Sequence, residues 1–126
     1  MNAIILAAGK GKRLRPLTEN KPKCLVKLFG KSLLEWQIET FHKLGIDNIT
    51  VVTGYKSHLI NFPQITNLEN KKYDSTNMVE TLFCAEEKLK NSTIVSYGDI
   101  IFEPKVLSKL MKSEADFSIV IDKNWL

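Results

Sequence analysis

The chain has 126 residues, 44% of them hydrophobic and 25% charged, with a net charge of +4. This composition is ordinary for one globular domain, or part of one, with a buried core, and no apolar run approaches the ~18–20 residues that a membrane span requires. The N-terminal apolar run is short and lacks a preceding basic segment, so we expect no signal peptide and no membrane association. Cys24 and Cys84 have no metal-ligand spacing, which favours reduced thiols in a cytoplasmic protein and a packing role for Cys24.

The positive charge is concentrated near the N-terminus. Residues 1–31 contain eight of the 18 Lys and Arg residues and one acid, Glu19, so their net charge is +7 and that of the remaining residues is −3. A nucleic-acid-binding surface usually spreads its cations along a face or a helix and interleaves aromatic residues. Cations gathered in one glycine-containing loop instead favour a small polyanion such as a nucleoside triphosphate.

The cationic loop directly follows a predicted strand, and its cations are Lys10, Lys12, Arg13, Arg15, Lys21 and Lys23. Residues 3–6 form a short apolar run that predicts a buried strand. The glycines within residues 8–11 allow main-chain N–H groups to approach a ligand without a Cβ in the way, and the lysines and arginines that follow match phosphate oxygens. A strand that ends in such a loop is typical of a phosphate-binding site.

The loop matches neither of two common phosphate-binding motifs. The Walker motif requires four residues between its first glycine and Gly-Lys-Ser/Thr, and this spacing is absent. The dinucleotide fingerprint requires a third glycine and a helix that begins inside the loop. Pro16 and Pro22 instead keep the following dozen residues irregular.

Beyond the loop, predicted strands and helices alternate. Apolar and β-branched runs predict strands at residues 3–6, 49–53, 65–69, 93–97 and 117–121. A Ser-x-x-Glu capping box at Ser32, an Asn-x-x-Glu pattern at Asn77 and the proline Pro104 mark helix starts. The apolar faces predicted for these helices contain Leu34, Ile38 and Phe41, then Met78, Leu82, Ala85 and Leu89, and finally Leu107, Leu110 and Met111. The alternation predicts an α/β fold with a parallel sheet and helices on both faces.

Small or polar residues follow several predicted strands. Gly54–Tyr55, Gly98–Asp99 and Asp122 stand at these carboxyl ends, and parallel sheets bind ligands beyond that edge. An acid opposite a basic loop supplies an oxygen ligand for the Mg²⁺ of a triphosphate, so Asp99 is the predicted metal ligand. Structural roles stay open as well: Tyr55 also fits a loop aromatic, and both aspartates also fit turn residues.

The chain resembles the nucleotidyltransferases that make activated sugars and alcohols, in the segments Leu6-Ala7-Ala8-Gly9-x-Gly11-x-Arg13-Leu14 and Pro22-Lys23-x-Leu25. Tyr97-Gly98-Asp99 is similar to the metal-binding Gly-Asp segment of that family. The resemblance implies a Rossmann-like three-layer α/β/α fold of the nucleotide-diphospho-sugar transferase type, with a mainly parallel sheet. It implies a reaction in which an acceptor oxygen attacks the α-phosphorus of a nucleoside triphosphate and pyrophosphate leaves.

The resemblance also implies roles for individual residues. Arg13 is expected to hold the β- and γ-phosphates, Lys23 to stabilise charge at the α-phosphate, and Asp99 to hold Mg²⁺. These three are the predicted catalytic residues. The predicted nucleotide-binding residues are Leu6, Ala7, Ala8, Gly9, Gly11, Lys12, Arg13, Lys23, Tyr55, Thr76, Asn77 and Gly98.

The segment Tyr73-x-x-Thr76-Asn77-Met78-Val79-x-Thr81-Leu82 indicates the substrate class. It looks more like the cytidylyltransferases that act on phosphocholine and related phospho-alcohols or phospho-amino compounds than like sugar-phosphate members. The ending Asp122-x-x-Trp125 is also similar to that group. We therefore expect CTP as the nucleotide, with Thr76 and Asn77 in contact with its base or ribose. The alternatives are a sugar-1-phosphate nucleotidyltransferase using UTP, dTTP or GTP, and a catalytically weak nucleotide-binding half-domain.

Members of this family are usually much longer than the present chain. Residues 1–126 are therefore expected to be the N-terminal nucleotide-binding part of a single nucleotidyltransferase domain. The remaining part normally carries acceptor-binding residues and a second metal-binding acid. Because its absence would leave apolar surface and a strand edge uncovered, we expect self-association or a completing chain.

Overall fold

The computed structural model describes residues 1–9, 16 and 18–121. The strands in this part are β1 (Asn2–Ala7), β2 (Lys27–Leu28), β3 (Lys31–Ser32), β4 (Ile49–Thr53), β5 (Thr66–Glu69) and β6 (Thr93–Tyr97). The α-helices are α1 (Leu33–Lys43), α2 (Met78–Phe83) and α3 (Pro104–Met111), and short 3₁₀ turns lie at Lys23–Leu25, Ser57–Leu59 and Glu86–Lys90. No helix in the described part of the chain is long and apolar enough to cross a membrane.

The central sheet has four parallel strands in the order β5-β4-β1-β6. β1 lies in the middle, with Leu6 opposite Val52 on one side and Tyr97 on the other. The strands predicted at residues 49–53 and 93–97 are confirmed with these bounds, and those predicted at 3–6 and 65–69 differ by a residue or two. β2 and β3 form a separate two-stranded antiparallel hairpin between the cationic loop and α1.

Helices cover both faces of the sheet, as the alternation predicted. Because successive strand residues point to opposite faces, Ala3 and Ile5 pack with the α1 and α3 side chains, whereas Ile4 and Leu6 pack on the α2 side. The larger cluster includes the fully buried Phe41 of α1. Each fully buried side chain of this size contributes on the order of 1.5–3 kcal/mol to stability, so this cluster fixes α1 against the sheet.

The predicted helix starts are confirmed, whereas the second helix ends at Phe83, before Ala85 and Leu89 of its predicted face. The Ser32 hydroxyl accepts a hydrogen bond from the Glu35 amide at 3.1 Å, and the Asn77 side chain accepts one from the Glu80 amide at 3.1 Å. Pro104 occupies the first turn of α3. Gly45, beyond the end of α1, has a φ of +81°, a left-handed conformation that glycine adopts without a steric penalty.

Two predictions about apolar segments are wrong. Residues 117–121 do not form a strand, and Phe117 and Ile121 are 79% and 77% exposed. A strand needs a neighbour for its backbone hydrogen bonds, and none of the described strands pairs with this segment. Met78 was predicted on the buried face of α2 but is 41% exposed. Thr81 is the buried residue of this helix. Its hydroxyl accepts a hydrogen bond from the side chain of Asn70, a residue of the preceding loop.

Candidate functional site

The carboxyl ends of β1, β4 and β6 meet at one edge of the sheet, as predicted. The backbone amide of Tyr55, just after β4, donates to the Ala8 carbonyl just after β1 at 3.1 Å. On the other side of β1, the amide of Gly98 donates to the Leu6 carbonyl at 2.8 Å. The start of the cationic loop therefore lies between the two turns that follow β4 and β6.

Glycines permit this close approach of three chain segments. A Cβ on Gly54 would lie 2.5 Å from the Cβ of Tyr73 and 2.8 Å from the Ala8 carbonyl oxygen. A Cβ on Gly98 would lie 3.0 Å from the Ala7 Cβ and 3.2 Å from the Cys24 Cβ. Neither glycine has a positive φ. The limited space for a Cβ, rather than the backbone conformation, therefore favours glycine at both positions.

Lys23 and Asp99 form an ion pair at this edge. The Lys23 Nζ lies 2.6 Å from the Asp99 Oδ2, and each side chain is about one-third exposed, at 32% and 34%. A 3₁₀ turn at Lys23–Leu25 presents the lysine, and the turn after β6 presents the aspartate. The structure therefore brings together the predicted phosphate ligand and the predicted metal ligand, 76 positions apart in the sequence.

Cys24 is buried beside this ion pair. The side chain is buried against Gly98. Its burial raises the thiol pKa from 9.0 to about 12, a nearby backbone hydrogen bond opposes the shift, and the Asp99 charge adds to it. The thiol is therefore protonated at neutral pH, because thiolate formation is disfavoured in an apolar surrounding. The predicted packing role of Cys24 is confirmed.

Tyr55 contacts the far end of the cationic loop. Its hydroxyl lies 3.0 Å from the Thr18 carbonyl oxygen and 2.9 Å from that of Glu19, and it donates between them. Its ring also makes an edge contact with Tyr73 at 6.4 Å between centroids. Together with its amide bond to Ala8, Tyr55 connects both ends of the loop to β4. Its predicted contact with the nucleotide stays a prediction.

Thr76 and Asn77 lie in the loop that joins β5 to α2. The Thr76 hydroxyl donates to the Lys72 carbonyl and accepts from the Asn70 side chain, both at 2.9 Å, while Asn77 caps α2. The Asn70 amide donates to the Thr53 carbonyl at the end of β4, which ties this loop to the sheet. α2, which Asn77 caps, packs on β1 through Leu82, beside Ile4 and Leu6.

Three of the other predicted site residues lie at the end of β1. Leu6 and Ala8 are buried, at 5% and 3% exposure, so their side chains form the wall of the edge. No described residue would lie within 4 Å of a Cβ on Gly9. The predicted residues Gly11, Lys12 and Arg13, together with Asp122, lie outside the described residues.

Sequence reasoning missed Gln37, a buried side chain of α1. Its Nε2 donates to the carbonyls of Tyr97 and Ile100 at 2.6 and 2.8 Å, and its Oε1 accepts from the Ser96 hydroxyl at 2.7 Å. The signal was present, since a glutamine stands on the same helical face as Leu34 and Phe41. A polar residue on an apolar face predicts a specific partner, although not which one.

The donor set at this edge fits a metal that arrives with a ligand. Within the described residues, no group of three or more His, Cys, Asp and Glu side chains could hold a metal ion. Mg²⁺ is usually bound through one or two carboxylates together with phosphate oxygens and water. Asp99 alone therefore fits the Mg²⁺ of a bound triphosphate and does not fit a metal cage made of protein side chains.

Relatives with assigned activities share both the sequence and the fold. A CTP:phosphoglutamine cytidylyltransferase of Campylobacter jejuni is 41% identical, over 99% of this chain and 54% of its own length. A UTP–glucose-1-phosphate uridylyltransferase of Haloferax volcanii is 30% identical, over 98% of this chain and 54% of its own length. The solved structure of the CTP:phosphocholine cytidylyltransferase of Streptococcus pneumoniae superposes with a TM-score of 0.74 at 39% identity, covering 78% of this chain and 44% of that one.

These matches establish the fold class and the family. The central sheet is that of the nucleotide-diphospho-sugar transferase fold, as the resemblance implied. The chain spans about half the length of the curated relatives that it matches. The family model for the MobA-like NTP transferase domain matches residues 3–124. The chain therefore belongs to the MobA-like NTP transferases.

Proposed function

We propose that this chain is the N-terminal, nucleotide-binding part of an enzyme domain that transfers CMP from CTP to a phosphorylated small molecule. The acceptor would be phosphocholine, another phospho-alcohol or a phospho-amino compound. The observation that carries the proposal is the Lys23–Asp99 contact of 2.6 Å beside the cationic loop. The cytidylyltransferase activities of the relatives from Campylobacter jejuni and Streptococcus pneumoniae support the choice of CTP.

The proposed reaction is one substitution at phosphorus. An oxygen of the acceptor's phosphate forms a bond to the α-phosphorus of CTP, the bond from that phosphorus to the bridging oxygen breaks, and pyrophosphate leaves with the electron pair. No side-chain nucleophile is required. Catalysis therefore depends on positioning and on neutralising the phosphate charge.

The residues of the edge have complementary roles in this reaction. Lys23 would stabilise the charge that develops at the α-phosphate, and Arg13 would hold the β- and γ-phosphates. Backbone amides of residues 8–11 would line the nucleotide. Asp99 would hold Mg²⁺, which supplies charge neutralisation between the phosphates when it is bound.

The Lys23–Asp99 ion pair is then the resting arrangement of the site. Each side chain is about one-third exposed, and an ion pair with that exposure contributes only about 0–1 kcal/mol. A magnesium triphosphate offers both groups a stronger partner, because phosphate oxygens take the ammonium and the metal takes the carboxylate. When the substrate binds, Lys23 and Asp99 would each replace the other by a group of the magnesium triphosphate. The free-energy cost of breaking their ion pair would be small, and neither charge would be left without a partner.

The two ends of the edge would divide the nucleotide between them. The phosphates would lie at the β1 and β6 end, and the base or ribose would face Thr76 and Asn77. Tyr55, near the middle, would border the nucleotide while its hydroxyl fixes the loop at Thr18 and Glu19.

Pyrophosphate release tests this proposal. The chain is incubated with Mg²⁺ and either CTP or UTP, each with phosphocholine, phosphoglutamine or glucose-1-phosphate. Release that requires CTP and a phospho-alcohol or phospho-amino acceptor is the expected result. Release only with UTP and glucose-1-phosphate would overturn the choice of substrates and favour the sugar-1-phosphate alternative, which the Haloferax volcanii relative supports.

A nucleotide-binding role without turnover is the second candidate, since the chain spans about half the length of its curated relatives. In this case calorimetry would show CTP binding while no acceptor releases pyrophosphate.

Under the proposed function, we also expect the chain to associate with a second polypeptide beside β6, where Val95 and Tyr97 are 43% and 50% exposed. Sedimentation of a monomer with full transferase activity would contradict that association.

A further inference from the structure

Gln37 makes three hydrogen bonds although it is almost completely buried. The residue is 1% exposed. Both donors of its amide are used, by the carbonyls of Tyr97 and Ile100, and its oxygen accepts from the Ser96 hydroxyl. The three distances of 2.6 to 2.8 Å are short for such bonds.

The two carbonyls that Gln37 binds bracket Gly98 and Asp99. Tyr97 is the last residue of β6, and Ile100 lies directly after the aspartate. In the described part of the chain, the only backbone–backbone hydrogen bond made between residues 98 and 102 is that from Gly98 to Leu6. The Gln37 bond to the Ile100 carbonyl is the other polar contact to this backbone among the described residues, and a second Gln37 bond fixes Tyr97 directly before it.

Ser96 determines which way the Gln37 amide points. Its hydroxyl donates to the Gln37 oxygen, which leaves the amide nitrogen facing the two carbonyls. The opposite orientation would place the amide oxygen against two carbonyl oxygens, with no donor between them. The orientation of the Gln37 amide is thus set by Ser96, the residue before the last one of β6.

An apolar residue would suit this position better for packing alone. Gln37 lies among Leu34, Ile38 and Phe41, which are 0%, 4% and 0% exposed. A buried amide must recover its lost hydration through hydrogen bonds, and those bonds here go to one functional turn rather than to the helix. The polar residue thus serves the geometry of the turn rather than the packing of the core.

We propose that Gln37 is a positioning residue that holds the Asp99 carboxylate where it can bind the metal of the nucleotide. This inference rests on the proposed function, and Gln37 itself touches neither substrate nor metal. It acts by fixing the backbone on both sides of Asp99, so that the carboxylate stays within reach of Lys23 and of the phosphates. Metal-dependent nucleotide binding then depends on Gln37, and metal-free binding depends on the cations of the loop.

The substitution Gln37→Met tests this role because it keeps the volume and removes both donors. We expect about tenfold more Mn²⁺ to be needed for half-maximal CTP binding, since residues that orient a metal ligand typically affect metal affinity about 10–100-fold. CTP affinity in EDTA should change less than about twofold, because the described hydrogen bonds of Gln37 go to Ser96, Tyr97 and Ile100 and not to a cation. Free Mn²⁺ is measured by electron paramagnetic resonance and CTP binding by calorimetry.

Thr40→Val is the matched control. Thr40 is a buried polar residue of the same helix, and its hydroxyl donates to the Trp36 carbonyl within α1. The Thr40→Val substitution should leave the Mn²⁺ dependence of CTP binding unchanged.

Ser96→Ala removes only the hydroxyl that orients the Gln37 amide. This variant should raise the Mn²⁺ concentration for half-maximal CTP binding by less than Gln37→Met does. Hydrogen exchange should increase at residues 98–101 in the Gln37 and Ser96 variants and not in the Thr40 variant.

The outcomes separate this inference from the proposed function. Gln37→Met with the same Mn²⁺ dependence as Thr40→Val, in a protein that Asp99→Asn does impair, would overturn the positioning role and leave the proposed function intact. A wild-type chain whose CTP binding is independent of any divalent metal would overturn both. An equal loss of CTP affinity with metal and in EDTA would assign Gln37 to the stability of the edge as a whole and would also overturn its specific role.

Discussion

The two ends of the candidate site are held by different kinds of contact. At the β6 end, the turn with Asp99 is fixed by Gln37, a residue of α1 that precedes it by about 60 positions. The glycine of that turn packs against β1 and Cys24. These contacts run through the main core, so the geometry at this end depends on the whole α1 side of the fold.

At the β5 end, the contacts are local in the sequence. Asn70 bonds Thr76 and Thr81, 6 and 11 positions away, and Asn77 caps the helix that it precedes. α2 has only six residues, and Met78 and Val79 are exposed on it. The loop is tied to the sheet through the Asn70 backbone, and α2 packs on β1 through Leu82.

The difference separates what is common from what is specific in nucleotide chemistry. Phosphates and a metal are the same for every nucleoside triphosphate, and the end proposed to bind them is fixed by long-range core contacts. Bases differ, and the end proposed to face the base can be changed within a dozen residues without disturbing the core. Substitutions at the two ends should therefore fail in different ways.

Thiol reactivity should distinguish the two ends most strongly. Cys24 is buried at the β6 end with its pKa raised to about 12, whereas Cys84 is exposed just after α2. Because only the thiolate reacts, a pKa about three units higher lowers the reactive fraction of Cys24 on the order of a thousandfold at neutral pH. A thiol-reactive reagent should therefore modify Cys84 rapidly and Cys24 slowly. In Cys84→Ser the rapid phase of labelling should be absent.

The same shift predicts the alkaline stability of the fold. The unfolded thiol ionises near pH 9.0 and the folded one near 12, so the unfolded state binds fewer protons between these values. The free energy of unfolding therefore falls through that range. In Cys24→Ala this part of the decrease should vanish in chemical unfolding followed at several pH values.

Removal of the loop cations should produce the next largest effect. Under the proposed function, Arg13→Ala and Lys23→Ala would each remove a charge-assisted phosphate contact, which should weaken triphosphate binding by about 1.5–3 kcal/mol. Lys88→Ala, a lysine far from the edge, is the control and should bind normally in calorimetry. Equal losses at all three positions would remove the phosphate assignment of the loop.

Asp99→Asn should remove the metal dependence and leave the fold in place. The two side chains have nearly the same shape, but the amide is a poor magnesium ligand and lacks the charge that Lys23 contacts. Mg²⁺ should then improve CTP binding about tenfold less than in the wild type. Unchanged magnesium dependence in calorimetry would make Asp99 a turn residue.

Gly54→Ala should test the packing of the middle of the edge. The new methyl group would lie 2.5 Å from the Tyr73 Cβ and 2.8 Å from a backbone oxygen, and overpacking of this kind costs about 1–3 kcal/mol. Gly9→Ala is the matched control, since no described residue lies within 4 Å of its added Cβ. Similar unfolding midpoints for the two variants in urea would show that Tyr73 moves freely away from the strand.

The sequence predicts the framework of this molecule better than its details. The strand at 49–53 and the caps at Ser32 and Asn77 depend on local patterns that act over a few residues. The convergence of Ala8, Tyr55 and Gly98 follows from the parallel topology alone. These features were predictable because each requires only local chemistry or one rule of sheet geometry.

What could not be predicted depends on pairings across the chain. Residues 117–121 have a strand's composition, but a strand exists only where a neighbour accepts it. The contact of Gln37 with the Asp99 turn joins residues about 60 positions apart, and periodicity reveals only that the glutamine is on the buried face. Likewise, the spacing of Lys23 and Asp99 does not indicate that they contact each other.

Asn77→Ala should have the smallest effect, confined to the β5 end. Loss of the cap at α2 should cost about 1 kcal/mol of stability, and loss of the amide should reduce the preference for CTP over UTP if that amide faces the base. Magnesium dependence should stay unchanged, because among the described residues the contacts that hold Asp99 and its turn come from Lys23 and Gln37 and none comes from Asn77. Asn77→Ser separates the two roles, since serine also caps a helix well but lacks the amide. It should restore the stability in urea unfolding and not the nucleotide preference in calorimetry. If Asn77→Ser discriminates CTP from UTP as the wild type does, Asn77 is a capping residue alone, and the nucleoside must be recognised by other groups of that loop.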